Sequence, residues 1–147
     1  MTAKSHGKIS LELLSIRYIS GVFPMSDSVD DPDIYWVDPQ MRGVFPLDNF
    51  HVSRRLARRI RQKQYTVSIN QHFSVVVTAC ANRAETWINT EIFDLYGQLH
   101  DLGHAHSIEV MDGTTLVGGV YGVSLNGAFF FLLRKTRRNR KINHISI

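Results

Sequence analysis

Residues 86–122 read TWINTEIFDLYGQLHDLGHAHSIEVMDGTTLVGGVYG, a helical pattern that runs into a hairpin pattern. Asn89 or Thr90 can cap the start of the helix, and Gly103 can end it. Apolar residues recur at helical spacing between these ends, which predicts one buried helix face. This face consists of Ile92, Leu95, Tyr96, Leu99 and Leu102. A capped helix followed by a hairpin predicts an α+β architecture.

The hairpin begins after Gly103, where apolar and polar residues start to alternate, as is typical of a β-strand. We expect Asp112 and Gly113 to be the central residues of its turn, because both tolerate a positive φ angle. Residues 116–123 would return as the second strand. Asn126-Gly127 signals another tight turn, so the sheet is predicted to be antiparallel.

Upstream of this stretch, the sequence predicts two further helices with a strand between them. Ser53 can cap the first helix, with Leu56 and Ile60 as its buried stripe. Residues 65–69 alternate in polarity and predict the strand. Asn70 can cap the second helix. The buried face of that helix would hold Phe73, Val76, Val77 and Cys80.

The first fifty residues have a different character. Residues 9–20 predict a short helix that ends at Gly21, and residues 21–50 are rich in Pro, Asp and Gly. We interpret residues 1–40 as a small N-terminal domain that contains β-structure. Residues 41–133 would then form the main domain, and residues 134–147 a basic tail that we expect to be disordered.

Length and composition are those of a folded globular protein. The chain has 147 residues, of which 44% are hydrophobic and 20% are charged. Its single cysteine, Cys80, excludes an internal disulfide and suits a reducing compartment, so we expect a cytoplasmic protein. The N-terminus lacks the apolar core of a signal peptide. We expect a monomer.

Positive charge is segregated within the chain. Residues 54–63 hold six cations, Arg54, Arg55, Arg58, Arg59, Arg61 and Lys63, and residues 134–141 hold six more. No acidic residue lies between Phe50 and Ala84. A solvated helix face normally mixes both signs of charge, so this pattern favours binding to the backbone of an RNA.

A family resemblance rests on several motifs in a fixed order. TWI at 86–88, LHDLGHAHSIEV at 99–110 and LVGGVYG at 116–122 resemble the leucyl/phenylalanyl-tRNA–protein transferases. Upstream, GVFPM, YWVDP and FHVSRRL fit the same family, so the resemblance covers about residues 15–131. It implies a GNAT-like acyltransferase core with an antiparallel sheet, and aminoacyl-tRNA as the RNA that the basic helix binds.

The resemblance also implies a reaction. Leucine or phenylalanine would pass from aminoacyl-tRNA to the N-terminal Lys or Arg of an acceptor protein, which tags that protein for degradation under the N-end rule. This step needs no cofactor and no metal. It needs an apolar pocket for the amino-acid side chain, and such a pocket separates close isosteres poorly, in keeping with a dual Leu/Phe choice.

Four residues are predicted to bind the substrate, one of them from its loop context, Trp36, and the other three from the resemblance. Trp36 and Trp87 would offer rings for stacking on a nucleobase, and Val120 and Phe129 would line the amino-acid pocket. Many family members also have tryptophan after the FP of GVFPM, where this chain has Met25. No catalytic residue is assigned.

The sequence departs from the family after Phe130. The family continues with Gly-Glu-Ser-Met-Phe-Ser, whereas this chain reads Phe131-Leu132-Leu133 and then a basic run. The glutamate of that motif is absent, as is a later aspartate that the family implies in catalysis. The resemblance therefore implies a truncated or frameshifted member, with a core that is incomplete at the C-terminus and little or no activity.

Two other functions fit parts of the pattern. One is a basic module that binds RNA without chemistry. The other is an HD-type metal phosphohydrolase, because LHDLGH contains a His-Asp pair and His100, His104 and His106 are metal-ligand types. That class is all-helical, so we assign no metal to these histidines.

A membrane span is the last alternative. Residues 116–133 carry no charge and precede a basic run, as in a transmembrane helix. The glycines and the Asn126-Gly127 turn signal favour buried strands instead, and we expect no membrane partner.

Overall fold

The computed structural model describes residues 4–5, 9–83 and 85–134. Its α-helices and strands are mixed along the chain, with a short 3₁₀ helix at Leu47–Asn49. The N-terminal elements are β1 (Lys4–Ser5), α1 (Leu11–Ile19), β2 (Phe23–Met25) and β3 (Ile34–Val37). The later elements are α2 (Arg54–Arg61), β4 (Thr66–Ile69), α3 (Phe73–Ala81), α4 (Thr90–Asp101), β5 (Ala105–Asp112), β6 (Thr115–Leu125) and β7 (Ala128–Arg134).

The strands form two antiparallel sheets. The first has the order β1-β3-β2, and the second has the order β4-β5-β6-β7. In the second sheet each strand pairs with the next one along the chain, so short turns suffice as connections between β5, β6 and β7. Helices α3 and α4 pack against this sheet and against each other. The predicted α+β class is confirmed.

Most helix ends follow the predicted local rules. The Oδ1 atom of Asn89 accepts the Ile92 N–H at 2.9 Å and caps α4. Ser53 likewise caps α2 through its hydroxyl oxygen. Gly21 and Gly103 follow α1 and α4 with φ angles of +81° and +77°, the left-handed conformation that a side chain disfavours.

The predicted cap of α3 is wrong. Helix α3 begins after His72, whose side chain makes no capping bond. Asn70 lies two residues earlier with a φ angle of +58°, and its Oδ1 atom accepts the Ser107 N–H at 2.9 Å. Its side-chain amide also lies 3.0 Å from Nδ1 of His106. Asn70 therefore joins the end of β4 to β5 and does not cap a helix.

The first hairpin turn is shifted by one residue from its predicted position, whereas the second turn lies where it was predicted. Asp112 pairs with Thr115, so Gly113 and Thr114 are the central residues and Asp112 belongs to β5. The second turn is as predicted, because Leu125 pairs with Ala128 around Asn126-Gly127. Both of its central residues have positive φ angles, +49° and +82°, which is the geometry that matches strand twist.

The hydrophobic core lies between the four-stranded sheet and helices α1, α3 and α4. The predicted face of α3 is buried, as are Ile92, Leu95, Tyr96 and Leu99 of α4. Leu102 was predicted on the same face but is 60% exposed, because the helix ends at Asp101 and the chain turns away.

The predicted buried stripe of α2 is wrong. Leu56 is 45% exposed and Ile60 is 61% exposed, and none of the residues in the helix is buried. The amphipathic pattern is present, but no other described element covers its apolar side.

Backbone and side-chain hydrogen bonds join the N-terminal part to the segment before α4. Glu91 accepts the Ile9 N–H at 3.0 Å, and Asn89 donates to the Asp31 carbonyl at 2.8 Å. The Trp87 carbonyl accepts from both the N–H and the hydroxyl of Ser26. One hydrophobic cluster also spans both parts. The domain boundary near residue 40 stays a prediction.

The uncharged stretch 116–133 forms most of β6 and β7. None of the helices in residues 9–83 and 85–134 is long and apolar enough to cross a bilayer. Arg134 is the last residue of β7, and the remainder of the predicted basic tail lies outside the described residues.

Candidate functional site

An aromatic pocket lies where α1, the start of β2, α4 and β7 meet. Its cavity volume is about 20 Å³, which is room for about one water molecule, so the rings are closely packed. Seven residues line it: Tyr18, Gly21, Phe23, Arg42, Tyr96, Phe130 and Phe131. Five of the seven are aromatic, so the pocket offers an apolar surface of ring faces and edges to a ligand.

Two tyrosine hydroxyls form the polar part of the pocket wall. Tyr18 of α1 and Tyr96 of α4 share a hydrogen bond between their hydroxyl groups, and their rings meet edge to face with centroids 6.4 Å apart. The Tyr18 ring also lies 6.0 Å from that of Phe130. Helix α1 is thereby fixed against α4 and β7 around the pocket.

Both tyrosines remain neutral at physiological pH. Burial raises the pKa of Tyr18 well above 10, and the neighbouring Tyr96 raises it further. Burial also raises the pKa of Tyr96, and the hydrogen bond from Tyr18 offsets only part of that effect. The pair can therefore donate and accept hydrogen bonds but does not supply a phenolate.

Arg42 supplies the one charged group of the pocket wall. Its guanidinium donates to the Gly21 carbonyl, which holds the side chain across the end of α1. A Cβ atom at Gly21 would lie 3.0 Å from Nη2 of Arg42, so only glycine leaves room for this contact without a shift. A cation beside aromatic rings can bind a phosphate, a carboxylate or a carbonyl oxygen.

The hydroxyl pair gives a testable prediction about stability. Tyr96→Phe or Tyr18→Phe should each cost about 1–3 kcal/mol, because the remaining hydroxyl is left buried without its partner. The double variant should cost less than the sum of the two single losses, since it removes both hydroxyls. Urea unfolding of the four proteins measures this coupling. Additive losses would mean that the two hydroxyls do not interact.

The structure buries the two tryptophans that were predicted to bind a nucleobase. Trp36 in β3 is 4% exposed, and the guanidinium of Arg17 lies 5.5 Å from the centroid of its ring. Trp87 is 6% exposed and precedes the cap of α4. Both belong to one hydrophobic cluster, so each ring contributes to the core whether or not it also contacts a ligand.

Val120 and Phe129 lie on the other face of the sheet from the buried Tyr121. Val120 pairs with Ile108 and Phe129 with Ser124, so the fold does not place them side by side. Phe129 does stack on Phe131, a pocket residue, with centroids 6.1 Å apart. Val120 is not among the residues that line the pocket. Their role in binding stays a prediction.

The six predicted RNA-binding cations do form one exposed surface. All five arginines of α2 are exposed, as is Lys63, which follows the helix with a φ angle of +49°. Arg59 approaches Gln64 and Tyr65 of the same segment. We call Arg54, Arg55, Arg58, Arg59, Arg61 and Lys63 the basic surface. Residues 51–83 contain no acid that could balance this charge within the segment, and the RNA-binding role of the surface stays a prediction.

Among the described residues, the three histidines do not share a contact, and His104 bonds through its backbone to Leu99 and Ser124. The His100 ring stacks on Phe73 at 4.1 Å, and its Nδ1 atom lies 2.8 Å from the Ala105 carbonyl oxygen. His106 contacts Asn70. Within the residues that the structure describes, no three His, Cys, Asp or Glu side chains are grouped so as to hold a metal.

Glu109 is a buried carboxylate whose partners the sequence did not indicate. It lies on the inner face of β5 and accepts hydrogen bonds from the hydroxyls of Ser68 and Ser107. The His72 N–H, at the start of α3, lies 3.4 Å from its Oε1 atom. Burial alone would raise its pKa, but these hydrogen bonds outweigh burial and lower the pKa below the ordinary 4.5. Glu109 therefore serves as an anionic anchor between the sheet and α3.

Sequence reasoning missed the pocket residues Tyr18, Arg42 and Phe130. Tyr96 was predicted, but only as a core residue of α4. Tyr18 and Tyr96 are 78 positions apart, and no spacing rule connects them. The available signal was that each tyrosine lies on the apolar side of a predicted helix, where a hydroxyl requires a partner.

Comparisons with known proteins agree with one another. The model of the family described as leucyl/phenylalanyl-tRNA protein transferase matches residues 44–136. A protein of Cereibacter sphaeroides strain KD131 named leucyl/phenylalanyl-tRNA--protein transferase is 61% identical over 118 residues, which are 80% of this chain and 55% of that protein. Proteins with the same name from Ruegeria sp. strain TM1040 and Dinoroseobacter shibae are 57% and 48% identical over 122 and 130 residues.

The two alignments to Ruegeria and Dinoroseobacter cover 83% and 88% of this chain, and 58% of each relative. The chain thus spans a little more than half the length of the curated relatives that it matches. The matched residues contain α2, α3, α4 and the whole four-stranded sheet. The comparisons give no support to the phosphohydrolase or to an RNA-binding module without chemistry. This chain belongs to the leucyl/phenylalanyl-tRNA–protein transferase family.

Proposed function

We propose that this chain carries the aminoacyl-tRNA-binding part of a transferase that moves Leu or Phe to an acceptor protein. The acceptor would begin with Lys or Arg. The observation that carries the proposal is the aromatic pocket, which combines five rings with a hydroxyl pair and one guanidinium in a chain of this family.

The pocket chemistry suits an apolar amino acid in an activated ester. The rings of Phe23, Phe130 and Phe131 would have to move apart to surround the side chain of Leu or Phe, because the cavity between them is only about 20 Å³. The neutral hydroxyls of Tyr18 and Tyr96 and the guanidinium of Arg42 would accept polar groups of the aminoacyl ester or of the terminal ribose. A cationic amino acid would lose its hydration there without a compensating partner, because the only charged side chain among the seven lining residues, Arg42, is also a cation.

The reaction itself is aminolysis. The α-amino group of the acceptor would attack the ester carbonyl carbon, a C–N bond would form, and the C–O bond to the tRNA would break. The amine loses a proton and the leaving ribose oxygen gains one. None of the seven pocket residues is a carboxylate or a histidine, so we assign substrate binding to this pocket and name no proton acceptor.

A binding measurement tests the pocket without requiring turnover. The ligand is phenylalanyl-adenosine with an amide in place of the ester. Phe131→Ala should weaken its binding at least about tenfold, because a half-buried ring of the pocket is lost. The matched control is Phe93→Ala, which removes a half-buried ring of α4 that does not line the pocket. Equal affinities of the two variants would contradict the assignment.

An activity measurement tests the reaction. We expect little or no turnover, and any labelled Phe that leaves Phe-tRNA should appear on a peptide with an N-terminal Arg and not on the same peptide with an acetylated N-terminus. Transfer to both peptides, or from Asp-tRNA as readily as from Phe-tRNA, would contradict the proposed substrates.

The basic surface should account for much of the affinity for tRNA. Replacing Arg54, Arg55, Arg58 and Arg59 by Gln should weaken binding of every tRNA alike, since phosphate contacts carry no sequence information. The slope of log affinity against log salt should fall by up to about 0.9 for each lost contact. Gln is chosen because its helix propensity is close to that of Arg.

The matched control changes net charge equally at another place. It replaces four cations of the C-terminal run, Arg137, Arg138, Arg140 and Lys141, by Gln. Titration with uncharged tRNA at several KCl concentrations measures both variants. An equal loss of slope in both would mean that α2 is not the main RNA-binding surface.

A further inference from the structure

Helix α2 lies on the protein with almost no packing to support it. Seven of its eight residues are exposed, and only Ala57 is half-buried. Its apolar residues Leu56 and Ile60 face solvent. In most proteins, helical stability comes from packing of an amphipathic face, and α2 lacks this contribution.

The sequence of α2 does not compensate for the missing contacts. An isolated helix shorter than about 12 residues is marginal in water even with a favourable sequence. In α2, Arg54 and Arg58 are four residues apart, as are Arg55 and Arg59, and like charges at this spacing repel each other. Two arginines also lie in the first turn, where the helix dipole disfavours a cation.

Two local features favour the helix. The hydroxyl of Ser53 accepts the Leu56 N–H at 3.2 Å and satisfies one of the orphan donors at the start. The three arginines of the last turn are favourably placed for the helix dipole. A nearly balanced equilibrium between helix and coil follows, and a polyanion would shift it by removing the arginine repulsion.

We propose that formation of α2 is coupled to RNA binding. Residues 53–62 are only partly helical in the free protein and become fully helical when phosphates neutralise their arginines. The inference rests on the proposed RNA-binding role of the basic surface. Its consequence is that the affinity for tRNA includes the cost of forming the helix. An apparent affinity falls in proportion to the fraction of the protein that is competent to bind.

Helix stability and phosphate contacts can therefore be separated by mutation. Ser53→Ala removes the cap, and Ala57→Gly lowers the helix propensity, yet neither removes a charge. Each should weaken binding of uncharged tRNA about fivefold. The salt slope should stay unchanged, because the same number of counterions is released.

The matched control is the cap of a helix that is packed into the core. The hydroxyl of Ser10 caps α1, which carries the buried Leu14 and Tyr18. Ser10→Ala should lower the melting temperature and leave the affinity for tRNA unchanged. If Ser53→Ala and Ala57→Gly also leave the affinity unchanged, the coupling between helix formation and binding is wrong.

Amide hydrogen exchange provides the second measurement. In the free protein we expect the amides of residues 57–61 to exchange within about tenfold of the unstructured rate, while those of α4 are strongly protected. Saturating tRNA should slow the amide exchange of α2 at least about tenfold further and leave the exchange of α4 unchanged. Protection of α2 equal to that of α4 in the free protein would overturn the inference.

The outcomes distinguish this inference from the proposed function. If the arginine variants bind tRNA as the wild type does, the basic surface is not the RNA-binding surface. If the arginine variants lose affinity and salt slope but the cap and glycine variants do not, then RNA binds a helix that is already formed.

Discussion

Gly122→Ala should destabilise the protein by about 3 kcal/mol or more, the largest effect that we expect from a single methyl group. Gly122 of β6 pairs with Phe131 of β7, and the two backbones approach closely at this point. An added Cβ atom would lie 2.2 Å from the Phe130 carbonyl oxygen and 2.7 Å from the Phe131 Cα atom. Both obstacles are backbone atoms, so a change of side-chain rotamer cannot relieve the clash. Urea unfolding measures the loss.

Gly97→Ala is the control for Gly122→Ala. Gly97 lies inside α4, and beyond its chain neighbours and the helix's own backbone nothing lies within 4 Å of the Cβ atom that the substitution adds. Alanine has the higher helix propensity, so this variant should gain up to about 1 kcal/mol. A Gly122→Ala protein as stable as the wild type would mean that β6 and β7 do not approach as closely as described.

Gly122→Ala should also weaken ligand binding. Phe130 and Phe131 line the pocket, so binding should be lost together with the pairing of β6 and β7.

Glu109→Ala should cost about 3 kcal/mol, because it leaves the hydroxyls of Ser68 and Ser107 and the start of α3 without their acceptor. Glu109→Gln keeps the volume and one acceptor oxygen, and should cost less. Glu109→Gln removes the charge, whereas Glu109→Ala also removes the volume and the remaining acceptor. The difference between the two variants therefore measures the effect of volume and hydrogen bonds.

The lowered pKa of Glu109 also predicts how stability depends on pH. In acid the unfolded state binds a proton before the folded state does, so stability rises with pH in this range. The contribution of Glu109 is fully present above its ordinary pKa of 4.5 and is lost as the pH falls through its lower folded-state value. Glu109→Gln should flatten this part of the stability curve. Glu85→Gln, at an exposed glutamate, is the control, and an identical flattening there would contradict the assignment.

Local rules predicted the elements whose causes are local. The start of α4 at Asn89, its end before Gly103 and the turn at Asn126-Gly127 each depend on a few neighbouring residues. The spacing of apolar residues likewise indicated the buried faces of α3 and α4. These features were recovered from the sequence because capping and turn geometry act within one or two turns of the chain.

Features that depend on distant partners could not be predicted in this way. Periodicity showed that α2 is amphipathic, but whether Leu56 and Ile60 are covered depends on elements elsewhere in the fold. Asn70 has the residue type of a helix cap, yet its side chain binds β5 across the sheet. The pocket is formed in part by α1 and β7, and the sequence pattern of one element contains no information about the position of the other.

The hydrogen bonds between the N-terminal part and the segment before α4 have a consequence for the order of events on the ribosome. They join residues 58, 61 and 82 positions apart, whereas β5, β6 and β7 are linked by turns of two residues. At translation rates of about 5–20 residues per second, Ile9 must wait about 4–16 s for Glu91 to be synthesised. During this interval Leu14, Ile34 and Trp36 have no completed core to enter. The earliest residues to leave the exit tunnel thus wait longest for their partners, and a chaperone that holds apolar segments would act on this chain before residue 90 appears.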